Sequence, residues 1–286
     1  MKVQFAKAHG DGNDFLLVRG LAWAEDADYA ALARAICDRH RGVGADGLVV
    51  FTGPARIRLF NSDGSEAELS GNGTRCAAAL LAADGEAHSA GASPKPAEES
   101  PGQAGDTFDI ETTAGRKHLR LLARDGYRFQ FEMNMGRPCY SPEEIGCPLE
   151  TALGTWKATL VNVGNPQCAV LVSDFDFAWR ELGRAIEEHP RFPNRTNVSF
   201  IKVRDSHTIE VRFYERGAGP TLSSGTGATG AAIAAILTGR VQSPVRVVTE
   251  AGSLELDWNG GDVLLRGPAE ITARGEFYWR RGKETP

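Results

Sequence analysis

Apolar and polar residues alternate along most of this chain, and short alternating stretches are typical of half-buried β-strands. Apolar residues at helical spacing predict an amphipathic helix over 29–37, and a second helix is predicted over 177–188. Two alanine-rich apolar runs, at 77–82 and 231–237, predict two further helices. The predicted strands cover residues 3–7, 14–18, 47–51, 57–60, 108–112, 118–122, 127–133, 156–163, 168–172, 198–203, 208–214, 245–249, 253–258, 263–266 and 270–273.

The two alanine-rich helices follow the same four-residue pattern. Residues 70–73 are Ser-Gly-Asn-Gly, and residues 224–227 are Ser-Gly-Thr-Gly. The first turn of a helix has unpaired N–H groups and partial positive charge, and glycine lets a ligand approach that backbone closely. Two such helix starts are suited to hold an anionic group or to stabilise developing negative charge. Serine is also a preferred N-cap, so a purely structural role stays open for each motif.

The order of predicted elements repeats in the two halves of the chain. Each half has several strands, a polar loop, one apolar helix and then more strands, which predicts an α+β duplication with mostly antiparallel sheets. Residues 84–106 contain almost nothing apolar to bury. We expect a flexible surface loop or a tolerated insertion there, with a functional lid as the alternative.

Composition and charge narrow the class of protein. A length of 286 residues suggests about two domains, and the formal net charge of −5 predicts no nucleic-acid partner. The five cysteines have no CxxC spacing, so neither a disulfide framework nor a zinc ribbon is predicted. The histidine spacing predicts no metal site. Without a signal peptide or an apolar span, we expect a soluble, cytoplasmic protein with no membrane partner.

Further motifs occur in a fixed order around the two helix starts, and together they are far more specific than any one alone. The chain resembles diaminopimelate epimerases, within the cofactor-independent amino-acid racemase superfamily. The matching segments are His-Gly-Asp-Gly-Asn-Asp-Phe at 9–15, Arg-Gly-Val-Gly-Ala-Asp-Gly at 41–47, Asn-Ser-Asp-Gly-Ser-Glu-Ala-Glu at 61–68, Ser-Gly-Asn-Gly-Thr-Arg-Cys at 70–76, Gly-Asn-Pro at 164–166, Arg-Thr-Asn-Val at 195–198 and Glu-Arg-Gly-Ala-Gly-Pro-Thr-Leu-Ser-Ser-Gly-Thr-Gly at 215–227.

The resemblance implies a fold and an activity. It implies two pseudo-symmetric domains, each a β-barrel-like, mostly antiparallel sheet around a central helix, with the site in the cleft between them. Residues 1–124 would form the first domain, with 268–286 returning to it, and 125–267 the second. The implied isomerase interconverts LL- and meso-diaminopimelate by two-base proton transfer at the α-carbon, without a cofactor. Its product would feed lysine biosynthesis, and a homodimer is implied.

The chain departs from the family pattern at the reactive positions. Ser70 and Ser224 stand where the family has two thiols, and Gln167 stands where it often has histidine. A hydroxyl is a far weaker acid than a thiol, whose pKa is about 8.5. Three interpretations stay open: natural serines that are activated, engineered replacements, or a silent amino-acid-binding homologue. A racemase of another amino acid is a further alternative.

The remaining roles follow from the resemblance. Arg216 would bind the distal carboxylate of the substrate, and Glu215 would pair with an ammonium, although a surface ion pair is the simpler interpretation. Four loop asparagines would bind the distal amino-acid group, although asparagine also commonly serves turns. The predicted catalytic residues are Ser70 and Ser224, and the predicted substrate-binding residues are Asn13, Asn61, Gly71, Asn72, Asn165, Asn197, Glu215, Arg216, Gly225 and Thr226.

Overall fold

A computed structural model describes residues 1–19, 28–86 and 102–280, and these residues adopt an α+β fold. Within them the helices are α1 (Tyr29–Ile36), α2 (Gly71–Ala83), α3 (Trp179–Glu187) and α4 (Gly225–Leu237), with a 3-10 turn at Pro142–Glu144. The strands are β1 (Lys2–Gly10), β2 (Asn13–Val18), β3 (Gly47–Phe51), β4 (Ile57–Asn61), β5 (Glu66–Ala67), β6 (Thr107–Thr112), β7 (Gly115–Asp125), β8 (Arg128–Gly136), β9 (Cys147–Thr151), β10 (Gly154–Asn162), β11 (Pro166–Leu171), β12 (Asn197–Asp205), β13 (Thr208–Glu215), β14 (Gly219–Thr221), β15 (Val245–Val248), β16 (Ser253–Asp257) and β17 (Val263–Tyr278).

The chain divides into two compact units. The first comprises Met1–Gly10, Asp14–Phe131 and Ala269–Pro286, and the second comprises Asp11–Asn13 and Glu132–Pro268. The domain limits expected from the resemblance, 1–124 with 268–286 and 125–267, stay a prediction.

In the first unit, β1 pairs antiparallel with β17, from Lys2 opposite Tyr278 to His9 opposite Glu270. Strands β2 and β3 run parallel, and α1 lies between them in the chain. Strands β3, β4 and β5 follow as antiparallel neighbours, and after α2 the chain forms the antiparallel pair β6–β7. The crossover helix is necessary because parallel neighbours need a long connection.

The second unit repeats this order of elements. Strands β11 and β12 run parallel with α3 between them in the chain, and β12, β13 and β14 are antiparallel neighbours. After α4, β15 pairs parallel with β13 and antiparallel with β16. The segment β2-α1-β3-β4-β5-α2 therefore corresponds to β11-α3-β12-β13-β14-α4. The predicted α+β duplication with mostly antiparallel pairing is confirmed.

The central helices α2 and α4 are apolar on all sides, which is typical of a helix enclosed by other elements. Nearly every residue of each is buried, and each contacts several strands of its own unit. Glycine permits this close approach at the third helical position. A Cβ on Gly73 would lie 2.8 Å from Leu59 Cδ2, and one on Gly227 would lie 2.8 Å from Phe213 Cδ1.

The amphipathic helices α1 and α3 cover the cores of their units with one face each. Leu32 and Ile36 of α1 are fully buried in the first core, and Asp28 caps that helix by accepting the Ala31 N–H at 2.8 Å. Leu182 and Ile186 of α3 are buried in the second core. Both helices agree with the predicted spans 29–37 and 177–188 to within one or two residues at each end.

Several local expectations differ from the structure or fall outside it, and the short strands β5 and β14 are also absent from the predicted strands. Residues 263–278 form one strand rather than two, because β17 pairs with β16 up to Arg266 and with β1 from Glu270. The pattern also predicts no strand at 147–151, where β9 buries alternate residues. Most of the predicted loop 84–106 lies on residues 87–101, outside the described residues. Among the helices of the described part, none is long and apolar enough to cross a membrane.

Candidate active site

At the N-terminus of α4, the hydroxyl of Ser224 is hydrogen-bonded to the carboxylate of Glu215. Ser224 has an extended backbone, with φ −144° and ψ 124°, and its Oγ accepts the Gly227 N–H at 3.0 Å. The same Oγ donates its proton to Glu215 Oε1 at 2.6 Å. Glu215 is the last residue of β13, so a strand end and a helix start create the pair. Ser224 is only 4% exposed, which strengthens the charge-assisted hydrogen bond.

The N-terminus of α2 has the same cap without the carboxylate. Ser70 has φ −128° and ψ 119°, and its Oγ accepts the Gly73 N–H at 3.0 Å. Its carbonyl accepts both the backbone N–H and the side-chain hydroxyl of Thr74. Within the described part of the chain, the Ser70 hydroxyl has an acceptor role only. The two serines are therefore alike as caps and different as proton donors.

The first turn of each central helix also has a fixed amide or hydroxyl. In α2, Asn72 Oδ1 accepts a hydrogen bond from Arg75 Nη2 at 2.6 Å, and both residues are buried. In the second unit, Gln167 Nε2 donates to Asn165 Oδ1 at 2.6 Å, and Asn165 Nδ2 donates to Thr226 Oγ1 at 3.3 Å.

The hydrogen bonds of this buried chain all run from Gln167 to Asn165 and from Asn165 to Thr226. Because Asn165 uses its nitrogen on Thr226 Oγ1, the Thr226 hydroxyl keeps its own proton for another acceptor. Gln167 Oε1 is buried without a hydrogen-bond partner among the described residues. The reverse direction would leave the two N–H groups of Gln167 without acceptors, which is the worse arrangement. The start of α4 is therefore set to donate hydrogen bonds to an anionic group.

The loop between β13 and β14 carries Arg216, and hydrogen bonds join this loop to Asn197 and Asn194. Asn197 Oδ1 accepts the backbone N–H of Arg216 at 3.0 Å, and Asn197 Nδ2 donates to the carbonyl of Pro166 at 3.1 Å. Arg216 Nη1 donates to the carbonyl of Asn194 at 3.4 Å. Asn197 thus links the Arg216 loop to the start of β11, next to Asn165.

Asn13 and Asn61 lie at strand ends. Asn13 begins β2, directly after Asp11 and Gly12, which both have positive φ. Asn61 ends β4, and its Nδ2 donates to Ser65 Oγ at 2.9 Å. Both asparagines therefore lie beside tight turns, which agrees with the alternative that they serve the turn.

Within the second unit, direct hydrogen bonds join three pairs of residues predicted from the sequence: Ser224 with Glu215, Asn165 with Thr226, and Asn197 with Arg216. Two further buried residues have no role in the sequence analysis. Gln167 donates to Asn165, and Glu187 accepts hydrogen bonds from the Gly217 N–H and from Arg195. The available signal for Glu187 was its position beside Ile186, a carboxylate at the edge of the apolar face of an amphipathic helix.

Three of the buried thiols, Cys37, Cys76 and Cys168, are poorly suited to act as bases. Burial raises the pKa of Cys76 to about 12, against a smaller lowering effect of Arg75. Burial and, next, the Asp14 carboxylate raise the pKa of Cys37 to about 12. Burial also raises the pKa of Cys168. These three thiols therefore stay protonated near neutral pH.

Comparison with known proteins identifies one family. A family model for diaminopimelate epimerase matches residues 5–140 and 159–272. The diaminopimelate epimerase of Moorella thermoacetica is 38% identical over 96% of this chain and 99% of its own length. That of Pelotomaculum thermopropionicum is 39% identical over 97% of this chain and 100% of its own length.

Solved structures show a likeness in fold. A probable proline racemase from Agrobacterium radiobacter has a TM-score of 0.73 at 16% identity, covering 99% of this chain and 94% of its own. A hydroxyproline epimerase from Agrobacterium vitis has a TM-score of 0.71 at 15% identity, covering 96% of this chain and 92% of its own. At such low identity, the likeness is one of fold alone.

Proposed function

Since the chain belongs to the diaminopimelate epimerase family, we propose that it interconverts LL- and meso-diaminopimelate by proton transfer at the α-carbon. The observation that carries this proposal is the family match, which extends over residues 5–140 and 159–272. The product serves lysine biosynthesis. An isomerase of this kind needs one group that removes the α-proton and a second that returns a proton.

We propose that Ser224 and Glu215 remove the α-proton together. The α-carbon–hydrogen bond breaks as its proton passes to Ser224 Oγ, while the Ser224 hydroxyl proton passes to Glu215 Oε1. The 2.6 Å contact between Oγ and Oε1 supports this route, because the transfer creates no free alkoxide at Ser224. The electron pair spreads into the substrate carboxylate, which the first-turn N–H groups of Gly225 and Thr226 stabilise.

Ser70 is then the proposed proton donor in the same turnover. Its Oγ–H bond breaks as the new carbon–hydrogen bond forms, and water returns a proton to Ser70 Oγ. Glu215 releases its proton to water through Ser224. In the meso-to-LL direction the roles reverse, and Ser70 has no carboxylate partner among the described residues. We therefore expect slower proton removal by Ser70.

The proposal also covers the substrate contacts, the oligomeric state and the cellular compartment. Arg216 binds the distal carboxylate of diaminopimelate, and the reaction needs no cofactor. Amide and first-turn groups complete the substrate contacts. We also propose a homodimer in the cytoplasm, which size-exclusion chromatography with light scattering and cell fractionation would check. These substrate contacts would come from Asn13, Asn61, Gly71, Asn72, Asn165 and Asn197.

A solvent-exchange assay tests the proposed reaction. The purified protein is incubated with LL-diaminopimelate in heavy water, and α-deuterium and meso product are followed with time. We expect deuterium in the meso product formed by the wild-type chain. The Ser70→Cys/Ser224→Cys double variant should be faster, because a thiol has a pKa of about 8.5 and is easily ionised.

A silent amino-acid-binding homologue is the second candidate, and the serines at both reactive positions favour it. In that case the wild-type chain binds diaminopimelate in calorimetry without any deuterium incorporation, and turnover is seen only with the two cysteines. If neither the wild-type chain nor the double cysteine variant shows binding or deuterium exchange, diaminopimelate is not the ligand.

A further inference from the structure

Glu187 is a buried carboxylate with no part in the proton transfers described above. It is the last residue of α3 and only 3% exposed. Its Oε1 accepts the backbone N–H of Gly217 at 2.9 Å and a hydrogen bond from Arg195 Nη1 at 3.2 Å. A buried carboxylate costs free energy unless its hydrogen bonds and charge are satisfied. Gly217 lies in the turn that carries Arg216, and Arg195 lies in the loop that leads to Asn197 at the start of β12.

The first partner belongs to the loop of Glu215 and Arg216. Gly217 follows these two residues directly and has φ +75°, and Ala218 N–H closes the turn on the Glu215 carbonyl. The loop returns to the sheet at Gly219, where β14 begins. A hydrogen bond from the Gly217 N–H to a buried carboxylate therefore holds the turn at its middle.

The second partner belongs to the loop that precedes β12. Arg195 has φ +60°, a backbone conformation that side-chain-bearing residues rarely adopt. Its neighbour Asn194 accepts a hydrogen bond from Arg216 Nη1 at 3.4 Å. The neighbouring Asn197 accepts the Arg216 backbone N–H. Glu187 thus contacts both loops that surround Arg216, one through a main-chain donor and one through a charged side chain.

Helix α3 itself is well fixed at this place. Gly183 lies so close to Tyr214 that a Cβ would be 2.7 Å from the ring carbon Cγ. Tyr214 directly precedes Glu215 on β13, and its hydroxyl accepts a hydrogen bond from Arg184 Nε at 3.4 Å. A carboxylate at the end of such a helix is a fixed reference point for the adjacent turn.

We propose that Glu187 is a positioning residue that holds the Glu215-Arg216-Gly217 turn, and with it the Arg216 guanidinium, in the geometry that binds the distal carboxylate of the substrate. This inference rests on the proposed function for the identity of the ligand. Glu215 keeps its own anchor on Ser224. Loss of Glu187 therefore weakens binding more than it slows proton transfer.

The test compares an apolar and an amide replacement. Glu187→Leu removes the acceptor at similar volume, whereas Glu187→Gln keeps an oxygen that accepts the Gly217 N–H. Glu188→Leu is the matched control, because Glu188 is the next residue along the chain and is exposed. Each variant is measured for its diaminopimelate dissociation constant, for kcat, and for amide hydrogen exchange of the 215–219 peptide.

We expect Glu187→Leu to raise the dissociation constant about tenfold, as loss of a charge-assisted hydrogen bond would, with kcat within about twofold. Exchange of the 215–219 peptide should accelerate in this variant. Glu187→Gln and Glu188→Leu should stay near the wild type in all three measurements. A role in packing alone would instead lower the melting temperature without this separation of binding from kcat.

Several outcomes overturn the inference. One is a Glu187→Leu variant that matches Glu188→Leu in both binding and exchange, and another is a Glu187→Gln variant with binding weakened tenfold. If Glu187→Leu does not fold, Glu187→Ala and the amide variant carry the same comparison. The hydrogen-exchange result does not depend on the ligand. Accelerated exchange in a chain that never binds diaminopimelate supports the role of Glu187 and contradicts the proposed function.

Discussion

The Ser224 hydroxyl has both its accepting and its donating capacity in use within the protein. It caps α4 by accepting the Gly227 N–H, and it donates to the Glu215 carboxylate at 2.6 Å. Ser70 accepts the Gly73 N–H in the same way. A cap alone explains a serine at both positions, whereas the carboxylate at Ser224 adds a proton acceptor. Ser70 and Ser224 therefore have similar backbone and cap geometry and differ in the acceptor that Ser224 has in Glu215.

Replacing each serine by alanine separates these two contributions. Ser70→Ala removes one N-cap, and we expect the unfolding free energy to fall by about 1 kcal/mol. Ser224→Ala removes a cap and also the donor to Glu215, which adds about 1–3 kcal/mol. Urea unfolding measures both, with the exposed Ser206→Ala as the control. Equal losses for the two variants would contradict a stabilising Ser224–Glu215 contact.

At the scale of elements, α4 and β11 meet at a glycine. A Cβ on Gly230 would lie 2.7 Å from both Cβ and Cγ of Gln167, and these atoms near the backbone cannot easily move away. Gln167 is in turn the residue that orients Asn165. The small residue in the helix is therefore what admits a long amide side chain beside the helix start.

We expect Gly230→Ala to destabilise the protein by about 1–3 kcal/mol, because it overpacks this contact. The better intrinsic helix propensity of alanine, about 1 kcal/mol, offsets part of the loss. Gln167→Ala in the same chain removes Cγ but keeps Cβ, so it should relieve part of the clash, and the two changes together should cost less than the sum of their separate effects. A double-mutant cycle measured by urea unfolding decides this, and strict additivity would show that the contact is unimportant.

At the scale of the whole molecule, a charge network supports the first unit. Asp14 contacts Lys7 at 3.0 Å and Arg39 at 2.8 Å, and it accepts the Asp46 N–H at 2.9 Å. Burial by itself would raise the pKa of the Asp14 carboxyl. The hydrogen bonds from Arg39 and Lys7 outweigh burial and hold this pKa below its ordinary value.

Because the pKa of Asp14 is lower in the folded chain, this carboxylate stabilises the fold at neutral pH and less so in acid. The stabilisation is fully present above the pKa of Asp14 in the unfolded chain, about 3.9, and is lost as pH falls through the lower pKa in the folded chain. Asp14→Asn should therefore be less stable than the wild type at pH 7, and the difference should shrink as pH falls below about 4. Urea unfolding at a series of pH values measures this, and a difference that stays constant down to pH 2 would contradict it.

The thiols give a second prediction for the whole molecule. All five cysteines lie in the described part of the chain as free thiols, and of these Cys139 is exposed while the other four are buried. A thiol reagent should modify one cysteine quickly in the native protein and the rest only after unfolding. If serines carry the reaction, alkylation should leave epimerase activity unchanged. The Cys139→Ser variant is the control, and fast inactivation by the reagent would favour a thiol as base.

Much of the fold could be predicted from the sequence because strands and helices have different local periods. The spacing gave most strands of both units, the two amphipathic helices and the two apolar helices, all within a few residues. Errors occurred where local pattern and tertiary pairing disagree. The Gly267-Pro268 step suggests a break, yet β17 continues through it while exchanging β16 for β1 as its partner.

The chain by itself determined most of the elements, the two serine-capped helix starts and the family. Elements and helix starts depend on residues close together in sequence, and the family depends on short motifs in a fixed order. Only the tertiary structure decided which polar groups meet. Ser224 reaches Glu215 across nine residues, Asn165 reaches Thr226 across 61, and Glu187 reaches Gly217 across 30. Such contacts depend on strand register and on how closely a helix approaches its sheet. These are set by packing over the whole unit, so the sequence pattern does not state them, even for Ser224 and Glu215, which lie within one motif.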